Sequence, residues 1–148
     1  MIDPNQTRFG IFNVLDNETT IEMNGDIGSS SLDDFNDLLS NFPNVNRIEI
    51  VECGGSADDF INLQLSLKVH QEGIDIHLLD NGLIASGGVD FFLAGINRTK
   101  GSNTQIGVHS WGSEDESGNP ISAADFPVGD ENHLPYIEYY MDIGFTQQ

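Results

Sequence analysis

Residues 74–97 read IDIHLLDNGLIASGGVDFFLAGIN. The run opens with Ile74, Ile76, Leu78 and Leu79 in a strand-like pattern, meets the turn residues Asp80, Asn81 and Gly82, and changes period from Ser86. Val89, Phe92, Leu93 and Ile96 then recur at helical spacing, with Gly95 and Asn97 near the end. This predicts a strand over residues 74–79 that stops at the Asp-Asn-Gly turn, followed by a helix that begins near Ser86. The flanks repeat the scheme. Residues 47–52 (RIEIVE) predict a strand closed by Cys53, Gly54 and Gly55, and residues 104–109 (TQIGVH) predict another. Strands alternating with helices predict an α/β domain with a largely parallel sheet.

The stretch between Ser56 and Glu72 sends two signals. Ile61, Leu63, Leu65, Leu67 and Val69 alternate with polar residues, which is a strand's period. Ser56 as a cap with Asp59 three residues on, a run rich in the helix formers Leu, Gln and Lys, and Gly73 just beyond favour a helix instead. A helix with apolar residues so widely spread is expected to be buried on two sides, against its sheet and against a neighbouring layer or subunit. Nearer the N-terminus, residues 9–15 and 19–24 predict a hairpin around residues 16–18, and Ser31 with Asp34 predicts a capped helix carrying Leu32, Phe35, Leu38, Leu39 and Phe42 up to Pro43. A last helix is expected near Pro135, after a long polar loop between Trp111 and Leu134.

The 148 residues suit one domain, residues 1–148, with a divergent acidic segment at 111–148. With 38% hydrophobic residues and nine Phe, the chain can bury a core, so its acidity is not that of a disordered polymer. Five Lys+Arg face 24 Asp+Glu, a net charge of −19. Nucleic acid and anionic membranes are therefore disfavoured partners, since both must be neutralised by cations. No stretch approaches the roughly 20 apolar residues of a membrane span, and residues 1–10 lack a basic and apolar leader pattern. A soluble chain is expected, cytoplasmic, or exported if a signal segment was removed. Cys53 is the single cysteine, so neither an internal disulfide nor a thiolate zinc site can form. The acidic run 114–116 lacks the alternating ligands and central glycine of a calcium loop, and no metal is expected there.

Three segments fall at the carboxyl ends of predicted strands, where α/β sheets gather their ligands: residues 53–55, 85–88 and 107–111. Ser86 opens a helix and is either its cap or a nucleophile; Gly87 and Gly88 favour the second reading by letting a substrate backbone approach the hydroxyl. His109 is either a structural histidine or the base such a serine needs. Gly54 and Gly55 either permit a turn or aim N–H groups at an oxyanion, with the N–H of Gly87 as the second donor. His70 is expected near a helix C-terminus, His77 inside a strand and His133 in the late loop.

The order Gly54-Gly55-Ser56, a helix, a strand, Ala85-Ser86-Gly87-Gly88, an apolar helix with Phe91-Phe92-Leu93-Ala94-Gly95, and a strand ending Val108-His109 resembles the Clp protease proteolytic subunit and its relatives in the crotonase-like superfamily. Residues 23–28 (MNGDIG) and the capped helix after them resemble the start of that fold, so the similarity covers residues 20–109. It implies a stack of ββα units, Ser86 as nucleophile, His109 as base, oxyanion donors at Gly55 and Gly87, a peptide or acyl substrate, a homo-oligomer and no cofactor. Enzymes of the same superfamily that act on coenzyme A thioesters lack the serine–histidine pair, so Ser86 with His109 favours the peptidase branch.

The chain departs from this pattern downstream. The family's triad acid follows the histidine after a further helix, a region this chain hardly reaches; Asp125 is the candidate third member, with Glu138 and Asp142 as other acids. Residues 111–135 do not match the handle helix and strand by which these peptidases assemble rings. A lysine base would have to be Lys100, the only lysine after Ser86. Two other functions stay open: a non-catalytic binding or assembly module on the same fold, and an acyl-CoA-binding enzyme.

Overall fold

The computed structural model describes residues 5–109 and 112–146. Ser110 and Trp111, which follow His109, lie outside the described residues, as do residues 1–4. The chain opens with β1 (Arg8–Phe9), β2 (Phe12–Val14) and β3 (Thr20–Asn24), each antiparallel to the next. The strand expected over residues 9–15 is broken at Gly10, whose φ of 61° folds β1 back on β2. α1 (Ser31–Asn41) has Ser30 at its cap position, and Ser31, expected there, instead accepts the Gly28 N–H at 2.9 Å.

β4 (Arg47–Cys53), α2 (Asp59–Gln71), β5 (Asp75–Ala85) and α3 (Gly87–Leu93) follow in strict alternation. The doubtful stretch is therefore helical. Its cap is Asp58, whose carboxylate accepts the Ile61 N–H at 3.1 Å, while Ser56 Oγ donates to Asp59 at 2.7 Å. Asn62, Leu65, Ser66 and Val69 form one buried stripe, and Leu63 and Leu67 are half-buried because α1, α3 and α4 (Leu134–Asp142) flank the helix. Helices of the same chain thus supply the second buried side.

Two short strands, β6 (Arg98–Lys100) and β7 (Gln105–Gly107), run parallel to β5 along one edge, β6 beside its first half and β7 beside its second. The sheet order is β1-β2-β3-β4-β5, with β6 and β7 both outside β5, and every pair from β3 onward is parallel. Alternating β and α elements with a mixed, mostly parallel sheet match the expected class. The expected stop at Asp80-Asn81-Gly82 is corrected: β5 pairs with β4 on both sides of it, Ile50 with Leu78 and then Glu52 with Leu83. Asn81 takes φ 62° and the residues loop out as a bulge, because turn residues serve an interrupted strand as well as a finished one. The bulge extends β5 to Ala85 and brings Ser86 level with the end of β4.

Side chains alternate along the sheet, so Ile21 and Met23, Ile48 and Ile50, and Ile76 and Leu78 are fully buried beneath the helices. Phe12 ties the layers together, with its ring 5.5 Å from Phe35 of α1 and 6.4 Å from Phe91 of α3. The expected polar loop after residue 111 holds an antiparallel pair, β8 (Gly112–Glu114) and β9 (Pro120–Ser122), and two 3-10 turns, Ala123–Asp125 and Glu131–His133. α4 begins at Leu134 with Pro135 in its first turn, as expected. No helix among the described residues is long and apolar enough to cross a membrane.

Candidate functional site

Ser86 joins β5 to α3. Its N–H continues the parallel ladder, donating to Gly107 O at 3.0 Å, and its carbonyl accepts the Val89 N–H at 3.0 Å. Held from both sides, the residue adopts φ 54° and ψ −125°, a conformation that L-residues avoid at a cost of about 1–3 kcal/mol. The side chain caps no N–H of α3, so helix capping does not account for the serine. A Cβ on Gly55 would lie 3.6 Å from Ser86 Cβ and 3.9 Å from Oγ, so the backbone after β4 passes beside the hydroxyl.

The glycines divide by role. The Gly54 N–H is engaged with Asp26 Oδ1 at 2.9 Å, which leaves the neighbouring Gly55 as the residue lying against Ser86. Gly87 and Gly88, expected to clear a path for substrate, have a packing reason of their own. A Cβ on Gly88 would lie 2.4 Å from the Cys53 carbonyl oxygen, and one on Gly87 would lie 2.7 Å from Ser56 Oγ and 2.9 Å from Asn62 Nδ2. Both are glycine because α3 starts in contact with β4 and α2. Asn62 Nδ2 also donates to Gly87 O at 3.0 Å while Asn62 Oδ1 accepts from Ser66 Oγ at 3.1 Å, fixing that first turn from a buried position.

His109 follows β7 and is exposed; with Ser86 and Gly87 it lines a cleft of ≈1480 Å³ whose walls include α2, α4 and the turns before α4. Asp125 is placed otherwise: its carboxylate accepts the Ser122 N–H at 2.7 Å in a capping box, and it is not among the residues lining the cleft. Lys100 sits on β6 beside Leu78, in the other half of β5 from Ser86, and also does not line the cleft. Of the remaining histidines, His70 Nδ1 meets Ala94 O at 2.9 Å, His77 Nδ1 meets Thr99 Oγ1 at 2.6 Å, and His133 lies on the cleft wall. Burial pushes the Cys53 thiol from 9.0 to about 11, and its Sγ–H donates to Gly55 O at 3.6 Å. It is a packing group beneath the site rather than a nucleophile.

Sequence reasoning missed one part of this cleft. Asp59 Oδ2 accepts from the Tyr136 hydroxyl at 2.8 Å, the Asp90 carboxylate accepts from Tyr140, and the Asp90 carbonyl accepts from Tyr139. α4 thus reaches α2 and α3 through three phenols. Burial, and for Tyr136 and Tyr140 the carboxylates they donate to, push these phenols above their ordinary value of 10.0. They remain donors at any working pH. Asp90 is raised from 3.8 mainly by burial and further by the charge of Asp59, against lowering by the Tyr140 bond and by His109. The only sequence signal was the tyrosine-rich helix after Pro135, which carries no mark of what it faces.

No protein-family model matches the sequence. No curated protein matches it either. Among solved structures, the fold is similar to that of a mutant of the 1510-N membrane-bound stomatin-specific protease in complex with a substrate peptide, at a TM-score of 0.56 and 19% identity. The similarity covers 82% of this chain but only 56% of that one. The architecture is therefore an α/β fold shared with a protease, and this chain spans little more than half of that protein's length.

Proposed function

We propose that the protein is a serine hydrolase, peptidase-like, built on a Clp protease-like or crotonase-like stack of ββα units. The observation that carries this reading is Ser86 itself: a non-glycine residue at φ 54° between strand and helix, not capping its helix, in a cleft that also contains a histidine. Strained residues of this kind concentrate at functional sites. Ser86 Oγ attacks the acyl carbon while His109 takes its proton, and the tetrahedral oxyanion is received by the N–H groups of Gly55 and Gly87. Collapse expels the leaving group with the proton returned by His109, and water then releases the acyl group by the same route. On this reading the substrate is a peptide or a comparable acyl compound. A fluorophosphonate probe tests this directly. It should label the wild-type chain and not Ser86→Ala; equal labelling of both, or of neither, overturns the assignment and favours a non-catalytic module.

A further inference from the structure

A serine–histidine pair needs a third group that fixes the imidazole tautomer and offsets the charge it acquires. The carboxylates lining the cleft are Asp58, Asp59, Asp90, Glu114 and Glu131. Asp58 is engaged as the cap of α2, and the two oxygens of Asp59 hold Ser56 and Tyr136. Glu114 and Glu131 are exposed on β8 and on the second 3-10 turn. Asp90 is different. It stands in the first turn of α3, four residues after Ser86 and hence on the same side of the helix, half-buried, with its carboxylate held by Tyr140 and its backbone carbonyl by Tyr139. Tyr136, Tyr139 and Tyr140 from α4, Asp59 from α2 and His109 from beyond β7 are the titratable groups around it, and His109 alone among them can offer it a positive charge.

We propose that Asp90 is the positioning carboxylate for His109, supplied from the turn after the nucleophile rather than from downstream of the histidine. This rests on the serine-hydrolase reading above. Tyr140 orients the carboxylate as Asp90 in turn orients the imidazole, so α4 supports the pair through Asp90. Asp125 is then a turn-capping residue only.

Fluorophosphonate labelling rates of the full chain test this with Asp90→Asn, Asp90→Glu, His109→Ala and the double variant Asp90→Asn/His109→Ala. Asp90→Asn keeps an oxygen for Tyr140, and it should slow labelling about 10²–10⁴-fold, the usual range for loss of acid–base assistance. Asp90→Glu, which retains the charge, should recover at least part of that loss. The double variant should be no slower than His109→Ala, because Asp90 acts only through the imidazole. Wild-type labelling by Asp90→Asn, a factor that multiplies with that of His109→Ala, or equal losses in Asp90→Asn and Asp90→Glu would each overturn the role of Asp90 while leaving the hydrolase intact. If Ser86→Ala and His109→Ala label as fast as wild type, the hydrolase reading falls and Asp90 falls with it.

Discussion

Asp90 is held at the expense of stability. Burial between α3 and α4 raises its carboxyl from the ordinary 3.8, so over the interval between that value and the raised one the folded chain retains a proton that the unfolded chain has lost. Stability therefore falls as pH rises through that interval, and the penalty persists above it. Asp90→Asn, which imitates the protonated acid, should melt above wild type at pH 7, with the difference gone below the unfolded value of 3.8. Thermal unfolding followed by circular dichroism at both pH values checks this, and a variant that melts lower at pH 7 would show that the ionised carboxylate is a net stabiliser. Ser86 belongs to the same class of residue. Its position at the end of a strand was legible from Ala85-Ser86-Gly87-Gly88, but its positive φ was not, since no local preference of serine favours that conformation and only the ladder to Gly107 and the start of α3 impose it.

α2 shows how an element with conflicting periodicity is resolved. Alternation over residues 61–69 argued for a strand, but capping at Asp58 and a run of helix-forming residues prevailed, and the apolar residues off the main stripe were absorbed by flanking helices. What alternation concealed is that the buried stripe is half polar. Asn62 and Ser66 lie inside it, and Asn62 holds the carbonyl of Gly87 next to Ser86. Asn62→Ala leaves that carbonyl and Ser66 without these bonds and should cost about 1–3 kcal/mol in urea unfolding. It should also slow probe labelling at Ser86, because the first turn of α3 loses its tether; unchanged stability would mean that water replaces the amide without loss. β5 carries the opposite lesson. Asp80-Asn81-Gly82 has the composition of a strand terminus, and only the pairing with β4 and with β7 shows that the strand resumes.

The net charge of −19 acts on the molecule as a whole. Among the described residues the ion pairs are Arg47 with Glu49 at 3.4 Å and Lys68 with Glu72 at 2.9 Å, both partly exposed and of little worth. Most acids are therefore left repelling one another. Three of the eight acids beyond Lys100 have local employment: Asp115, Asp125 and Asp130 accept backbone N–H groups in turns, and these bonds hold Asp115 and Asp130 below the usual carboxylate range. Raising monovalent salt from about 10 mM to about 150 mM shortens the Debye length from roughly 30 to 8 Å and should raise the melting temperature by screening self-repulsion. A melting temperature that stays constant or falls would mean that the acids are already arranged without net repulsion. Charge, helix caps, strand periods and the three strand-end motifs belong to residues adjacent in the chain, so the α/β class and the candidates Ser86, Gly55 and His109 could be read from the sequence. Packing alone decides which phenol holds the Asp90 carboxylate, because Asp90 and Tyr140 lie 50 residues apart. Nothing in either neighbourhood marks them as partners until α4 closes over α3 and desolvates both.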